Sequence, residues 1–459
     1  MMLSRRTILQ GAGGLAFAVA NFRSDALAQT SSAAKDPGSN PEVPPILFVH
    51  GNGDYDALWM TTLWRMECNG IARDRMMAIN FTNPTARADD TVEQANRSST
   101  EDQRRELAAA IAELKRRTGA ARVALVGNSR GGNSIRNVIK NGGGGDVSHA
   151  VLCGTPNHGV FALDDLLGNE FNGRGPFLSG LNGGDSEVTP GTAFLTLRSD
   201  GMDKYAQPDG RFMGKPGVPT NVTVEGPELK GATNRVLGTI DHRETAYHPR
   251  AFREIYKFIA GREPARIAIT PEHAVQLSGL VTGAVDGVPT NRPVAGAVVE
   301  VNYVDRESGE RRGVVHRSTT GANGRWGVAS VDSTSPLEIV LTSPDAPITH
   351  FYRSPFPRSS DVVHLRAARP FLPADKDAGA VVIMSRPRGY FGLPRDTVLF
   401  DGKEPADVHP GVPTDATATL RLPASDGRRN IVAQFNEERI VARAWPAAEN
   451  RIAVAEMTY

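Results

Sequence analysis

The chain has 459 residues, too many for one hydrophobic core, so about two to three domains are expected. Charged residues make up 22% and the net charge is only +1, an ordinary soluble globular composition that gives no reason to expect a nucleic-acid partner. The two cysteines, Cys68 in a helical segment and Cys153 in an apolar strand, read as buried thiols rather than a disulfide; no Cys/His spacing of the metal-binding kind occurs, and no cofactor is expected.

Residues 1–28 read as an address rather than as structure. Ser4-Arg5-Arg6-Thr7-Ile8-Leu9-Gln10 has the form of a twin-arginine export signal, followed by a modestly apolar run and then by Ala26-Leu27-Ala28 for cleavage. The run is too short and glycine-rich to span a membrane stably. Export in the folded state suits a chain that needs no disulfide, and the expected location is periplasmic or secreted. Residues 29–44, polar and rich in Pro and Ser, read as a flexible lead.

Ile46 to Val49 is a continuous apolar run, expected of a strand covered on both faces, and it ends in His50-Gly51-Asn52-Gly53-Asp54. Trp59 to Cys68 reads as an amphipathic helix and Met77 to Phe81 as the next strand, with Thr82 to Ser98 a surface excursion. Thr100-Glu101-Asp102-Gln103 reads as a capping box ahead of a helix with Leu107, Ala110, Ile111 and Leu114 at helical spacing. Val123 to Val126 is a second buried strand. It runs into Gly127-Asn128-Ser129-Arg130-Gly131, after which Ile135, Val138 and Ile139 continue at helical spacing. Gly-x-Ser-x-Gly arises easily by chance among 47 glycines. Between a strand and a helix, however, it is a nucleophile elbow: the turn is strained, the glycines give room, and the hydroxyl stands out at the helix N-terminus. Ser129 is therefore the candidate nucleophile.

Gly142 to Gly145 reads as a flexible link and His149 to Cys153 as a further buried strand, whose exit loop, Gly154 to Gly159, leaves the sheet beside Ser129. His158 in that loop lies too close behind the elbow for a Ser…Asp…His order. Residues 160–192 carry Phe161, Leu163, Phe171 and Leu178 among many Gly and Asn, either a mobile cap or a loop packed permanently on the core. Ala193 to Leu197 is the next strand, and Asp200 and Asp203 in the acidic turn behind it compete as the orienting carboxylate; capping that turn is the structural role open to Asp200. Val236-Leu237 leads into a loop holding His242 and His248. His242, between the last strand and last helix, is the candidate base, while His248, just before Pro249, suits a structural role at the start of a helix carrying Phe252, Ile255, Tyr256 and Ile259. Strand–helix–strand repeats over 45–262 argue for a mostly parallel, doubly wound α/β sheet.

Gly261 and Pro264 mark a boundary, beyond which the apolar period becomes two. Ala297, Val299, Val301 and Tyr303 face one way and Val298, Glu300 and Asn302 the other, and Leu337, Ile339 and Leu341 repeat the pattern. Residues 265–366 read as a small β-sandwich, and 370–459, after Arg369-Pro370, as a second β-unit or its continuation. No catalytic constellation occurs there; structural support, polymer binding and lipid contact are the roles open to it.

With these loops in place, residues 45–262 resemble a secreted bacterial lipase or carboxylesterase of the α/β-hydrolase superfamily. The whole chain, including Asp241-His242-Arg243-Glu244-Thr245-Ala246-Tyr247-His248-Pro249 and the β-rich stretch from residue 265, resembles an archaeal lipase with a C-terminal β-barrel; 265–366 also resembles transthyretin-like modules. The resemblance implies an α/β-hydrolase fold followed by an all-β region (sandwich or barrel). It also implies hydrolysis of acyl esters through an acyl-serine, with a tail that assists lipid binding. His50-Gly51-Asn52 is similar to the oxyanion loop of that superfamily, which makes the backbone N–H groups of Asn52 and Arg130 the expected donors. Asp203 is preferred to Asp200 because Asp203-x-x-x-Gln207-Pro208 resembles the loop after the acid in secreted lipases. One departure stands out: the archaeal relative closes the strand after the elbow helix with its acid, where this chain has Cys153. A thiol cannot take that part, so it passes to Asp203 and the expected set is Ser129, Asp203 and His242. A short-chain esterase, a polyester depolymerase and an exported lipid- or glycan-binding protein on a silent hydrolase fold are the alternatives.

Overall fold

In the computed structural model, which describes residues 43–459, the apolar runs of the first half pair into one sheet. The export signal and nearly all of the lead lie outside the described residues. The strands are β1 (Ile46–Val49), β2 (Met76–Ala78), β3 (Val123–Asn128), β4 (Val147–Cys153), β5 (Ala193–Ser199) and β6 (Thr233–Leu237), in the order β2-β1-β3-β4-β5-β6, and every pair is parallel. Between and after them run α1 (Met60–Glu67), α2 (Thr100–Thr118), α3 (Arg130–Val138), α4 (Pro176–Asn182), α5 (Glu244–Tyr247) and α6 (Pro249–Ala260).

The side-chain period of two divides each central strand between two cores. Leu47 and Val49 of β1 and Val123 and Leu125 of β3 pack with Leu107, Ile111 and Leu114 of α2 and Ile135 and Val138 of α3. Ile46, Phe48, Ala124 and Val126 point the other way, to Leu63 of α1 and Phe252, Ile255 and Ile259 of α6. Both faces are covered, which is why these strands are apolar throughout.

Two local expectations are corrected. The capping box of α2 lies one residue earlier: Ser99 Oγ accepts from the Asp102 N–H and Asp102 Oδ2 accepts from the Ser99 N–H, at 3.1 and 2.9 Å. Thr100 is occupied instead by Asp90, whose carboxylate accepts from both its N–H and its hydroxyl at 2.7 Å. The glycines 142–145 are not an extended link either: the helical run from α3 is broken by non-helical dihedrals at Asn141 and at Gly142 (φ 111°), and a tight helical turn, Gly144–Asp146, follows the break.

The second half is all β. Its strands are β7 (Val275–Val285), β8 (Val288–Pro293), β9 (Val298–Val304), β10 (Arg311–Thr319), β11 (Arg325–Val331), β12 (Leu337–Thr342), β13 (Ile348–Arg353), β14 (Leu365–Arg366), β15 (Ala380–Ser385), β16 (Val398–Phe400), β17 (Thr417–Leu422), β18 (Asn430–Phe435), β19 (Glu438–Arg443) and β20 (Arg451–Glu456). A seven-stranded sheet, β10-β9-β12-β13-β20-β15-β17, runs through the whole region. The last strand, β20, lies parallel between β13 and β15 and so joins residues before and after Pro370 in one sheet. A sheet of β11, β7, β14 and β8 shares one core with it, through Val299, Val301, Ile339, Leu277 and Trp326; one of β16, β18 and β19 shares a second, through Val382, Met384, Phe400 and Ile431.

The two halves share a core as well. Trp64 of α1 meets Phe356 edge-on at 6.2 Å and its indole N–H donates to Ser359 O at 2.9 Å, while Tyr55 and His364 stack at 4.0 Å. Among the described residues no helix is long and apolar enough to cross a membrane.

Candidate active site

Ser129 joins β3 to α3 with φ 54° and ψ −126°, a conformation costing a non-glycine residue about 1–3 kcal/mol and retained only where its surroundings enforce it. The enforcement is steric. A Cβ on Gly131 would lie 2.5 Å from the carbonyl oxygens of both Val49 and His50, and one on Gly127 would lie 2.6 Å from Ile135 Cδ1. Only glycine lets α3 start this close to β1. Ser129 thus stands at the N-terminal end of α3, whose first-turn N–H groups lack partners within the helix.

His242 follows β6, where the sequence reading put it. Its Nδ1 is 2.8 Å from Asp203 Oδ2, and the two side chains are 3% and 4% exposed. The loop is fixed through its own carbonyl: His242 O accepts from Thr245 Oγ1 at 2.6 Å and from Asn128 Nδ2 at 3.3 Å. The other ring nitrogen, Nε2, is buried without a protein hydrogen-bond partner, so no bond to Ser129 Oγ is made in this arrangement. Ser129 and His242 line the same pocket, of about 440 Å³ empty volume, together with Asn52, Val160, Phe171, Tyr205, Met213, Arg243 and Tyr390.

Asp200 is placed elsewhere. Its Oδ1 accepts from the Thr239 N–H at 2.9 Å, tying the acid turn to the loop after β6. His248 caps α6 by accepting from the Arg250 N–H at 3.2 Å, and burial, with nearby arginines, lowers its pKa to about 4. His158 is held between Gly226 O and Glu187 Oε1, at 2.8 Å each. His50 accepts from the Phe81 N–H at 3.1 Å through Nε2 and lies 2.9 Å from Gly51 O through Nδ1; burial lowers its pKa, so it orients the loop as a neutral ring. Cys153, at the end of β4, is fully buried and burial raises its thiol pKa; Cys68 is free and only half-buried.

Asn52 lines the same pocket as Ser129, and Arg130 follows Ser129 in the chain. Asn52 Oδ1 accepts from the Ala86 N–H at 2.8 Å, which anchors the loop after β1, and a Cβ on Gly51 of that loop would lie 3.0 Å from Ser129 Cβ. The Arg130 side chain is buried and makes a bidentate pair with Glu170, at 2.7 and 2.5 Å; it also donates to Pro84 O and Ser98 O, at 3.1 and 2.8 Å. Burial raises the Glu170 carboxyl pKa, and Arg130 opposes that rise. The segment 160–182 is thereby pinned to the elbow at Glu170. Glu170 is one of three carboxylates in that segment, with Asp164 and Asp165, and no sequence signal singles it out for this contact. Tyr205, Arg243 and Tyr390 were not anticipated; Tyr390 comes from the β-half, 261 positions beyond Ser129, and no local pattern marks it. Among the described residues no group of three or more His, Cys, Asp or Glu could hold a metal ion.

A parallel sheet with helices on both faces, a strained serine at a strand-to-helix turn and a histidine loop after the last strand define an α/β-hydrolase fold, here followed by an all-β region. Residues 273–370 match the model of the lipase C-terminal domain family. No curated protein matches the sequence. Among solved structures the chain is similar to Aspergillus fumigatus lipase B, at 14% identity and TM-score 0.36 over 51% of this chain and 56% of that one, so it spans little more than half of that protein. It is also similar to Bacillus licheniformis lipase BlEst2. Against the mature form the identity is 21% and the TM-score 0.31, over 45% of this chain and 89% of that one. Against the propeptide form they are 14% and 0.36, over 88% and 94%.

Proposed function

We propose that the protein is a serine carboxylic ester hydrolase in which Ser129 is the nucleophile, His242 the general base and Asp203 the residue that orients and charges the base. A serine hydroxyl is a weak nucleophile until a neighbouring base takes its proton. With Nδ1 held by Asp203, His242 presents Nε2 as the acceptor; it takes the Ser129 proton as Oγ attacks the ester carbonyl, then returns it to the leaving alcohol. The acyl-serine is released by water activated in the same way. The N–H groups of Asn52 and Arg130 receive the tetrahedral oxyanion, each worth about 3–4 kcal/mol of transition-state stabilisation.

The observation that carries this reading is the 2.8 Å contact of Asp203 with His242, whose other nitrogen is left unpartnered in the pocket that Ser129 lines. The apolar walls from Val160, Phe171 and Met213 suit an acyl group beside Ser129. The match of residues 273–370 supports a lipid-contacting role for the β-half, and the Arg5-Arg6 signal supports export. Labelling with a fluorophosphonate followed by peptide mapping tests the reading: a single adduct on Ser129 is expected, and a chain that takes up no label would overturn it in favour of a silent, lipid- or glycan-binding fold.

A further inference from the structure

The half of the molecule without catalytic groups of its own reaches into the site. The loop between β15 and β16 carries Arg386, Tyr390 and Arg395, and all three grip the residues around His242. Arg386 donates to Asp241 Oδ2 at 2.7 Å and to Glu244 Oε1 at 2.6 Å, and Arg395 donates to Glu244 Oε2 at 2.8 Å. Burial alone would raise the Glu244 carboxyl; the two guanidinium groups outweigh it and leave its pKa below the ordinary value. In return, Arg243 donates to Pro387 O at 2.9 Å.

Tyr390 sits at the centre of this clamp, and the clamp holds it by its main chain. Its N–H donates to Asp241 Oδ2 at 2.9 Å, and its carbonyl accepts from Arg386 at 2.6 Å and Arg395 at 3.2 Å. Its side chain is hydrogen-bonded with Tyr205 and carries two cations on its ring. The Lys204 ammonium lies 3.8 Å from the centroid of its ring and the Arg243 guanidinium 5.1 Å, so the chain neighbours of Asp203 and of His242 close on the same ring. Lys204 also donates to Thr414 O at 3.0 Å, a second tie from the acid loop to the β-half. Tyr390 is 5% exposed and lines the same pocket as Ser129, Val160, Phe171 and Met213.

We propose that Tyr390 is a specificity-determining residue of the Ser129 pocket, a side chain delivered by the β-half whose bulk sets the length of ester group admitted. The proposal rests on the ester-hydrolase reading above. It makes the β-half a wall of the active site, in addition to any contact it makes with a lipid surface. The main-chain bonds of Tyr390 and the pairs of Arg386 and Arg395 with Asp241 and Glu244 do not involve its side chain, so shortening that side chain enlarges the pocket while the loop keeps these anchors; what is lost is the contact of the ring with Lys204, Arg243 and Tyr205.

The test is a chain-length series of soluble 4-nitrophenyl esters, read as kcat/KM for the full-length protein and for Tyr390→Ala, Tyr390→Phe and Tyr390→Trp. Tyr390→Ala is expected to shift the decanoate-to-butyrate ratio about tenfold towards decanoate, and Tyr390→Trp to shift it towards butyrate. Tyr390→Phe, which keeps the ring, should stay within about threefold of the parent ratio. If Tyr390→Ala does not fold, the Trp and Phe variants decide, since their opposite expectations need no cavity. A ratio unmoved in folded Ala or Trp variants, with the parent still turning over esters, overturns the proposal and leaves the hydrolase reading standing. A parent without ester turnover or Ser129 labelling brings down both.

Discussion

Asp203 Oδ2 lies 2.8 Å from His242 Nδ1, with both side chains almost wholly out of solvent. A buried carboxylate at that distance fixes the tautomer that leaves Nε2 free to accept a proton. Asp203→Asn is expected to lower kcat about a thousandfold to ten-thousandfold, with the melting temperature little changed. Asp200→Asn should stay within about threefold of the parent, because Asp200 is engaged with the Thr239 N–H. Steady-state kinetics on both variants checks this; the reverse ranking would move the acid to Asp200.

The Arg130–Glu170 pair makes a different prediction. Replacing Glu170 by Gln leaves a buried guanidinium without its counter-charge, which typically costs about 3–5 kcal/mol. Urea denaturation followed by fluorescence measures it. The backbone N–H of Arg130 is an expected oxyanion donor, so kcat should fall further than KM rises; a loss of stability below about 1 kcal/mol would show that the pair does not hold the cap segment to the elbow.

Gly131 and Gly145 separate close packing from glycine content. Gly131→Ala is expected to give no soluble folded protein, or a folded one that no fluorophosphonate labels, since the new methyl meets main-chain atoms of β1. Nothing lies within 4 Å of a Cβ at Gly145, and Gly145→Ala should change stability by no more than about 0.5 kcal/mol. Parallel purification and melting curves of the two variants compare them directly.

His248 links stability to pH. Its folded pKa, about 4, lies below the unfolded value of 6.5, so the unfolded chain binds the extra proton between those limits. The stability that neutral His248 contributes is present above pH 6.5 and is lost as pH falls towards 4. His248→Asn keeps an acceptor for the Arg250 N–H and removes the titration; it should lower proton uptake on unfolding at pH 5 by about one proton, flattening the acid limb of the melting-temperature profile. An unchanged slope would show that His248 is not held neutral.

What the sequence made legible was local. The elbow and the loop after β1 each follow an apolar strand, and the histidine loop follows the pair Val236-Leu237, so short motifs and strand patterns were enough to bring Ser129, Asn52 and His242 into view. The capping box slipped by one residue because Ser99 and Thr100 are both competent caps, and the choice fell to Asp90, a tertiary partner. Strand β20 escaped notice as a short apolar run near the end of the chain, yet it lies inside the largest sheet; its place is set by pairing with β13 and β15, 103 and 71 residues away at Ala453 with His350 and Val382. Tyr390 and the arginines beside it were invisible for the same reason: charged and aromatic residues in a β-rich tail carry no sign of the loop they will brace.

The most direct measurement is the rate of 4-nitrophenyl butyrate hydrolysis by Ser129→Ala against the parent at equal concentration, with circular dichroism confirming that both are folded. The account predicts that kcat falls at least about ten-thousandfold. A folded Ser129→Ala protein that hydrolyses the ester at the parental rate would contradict it.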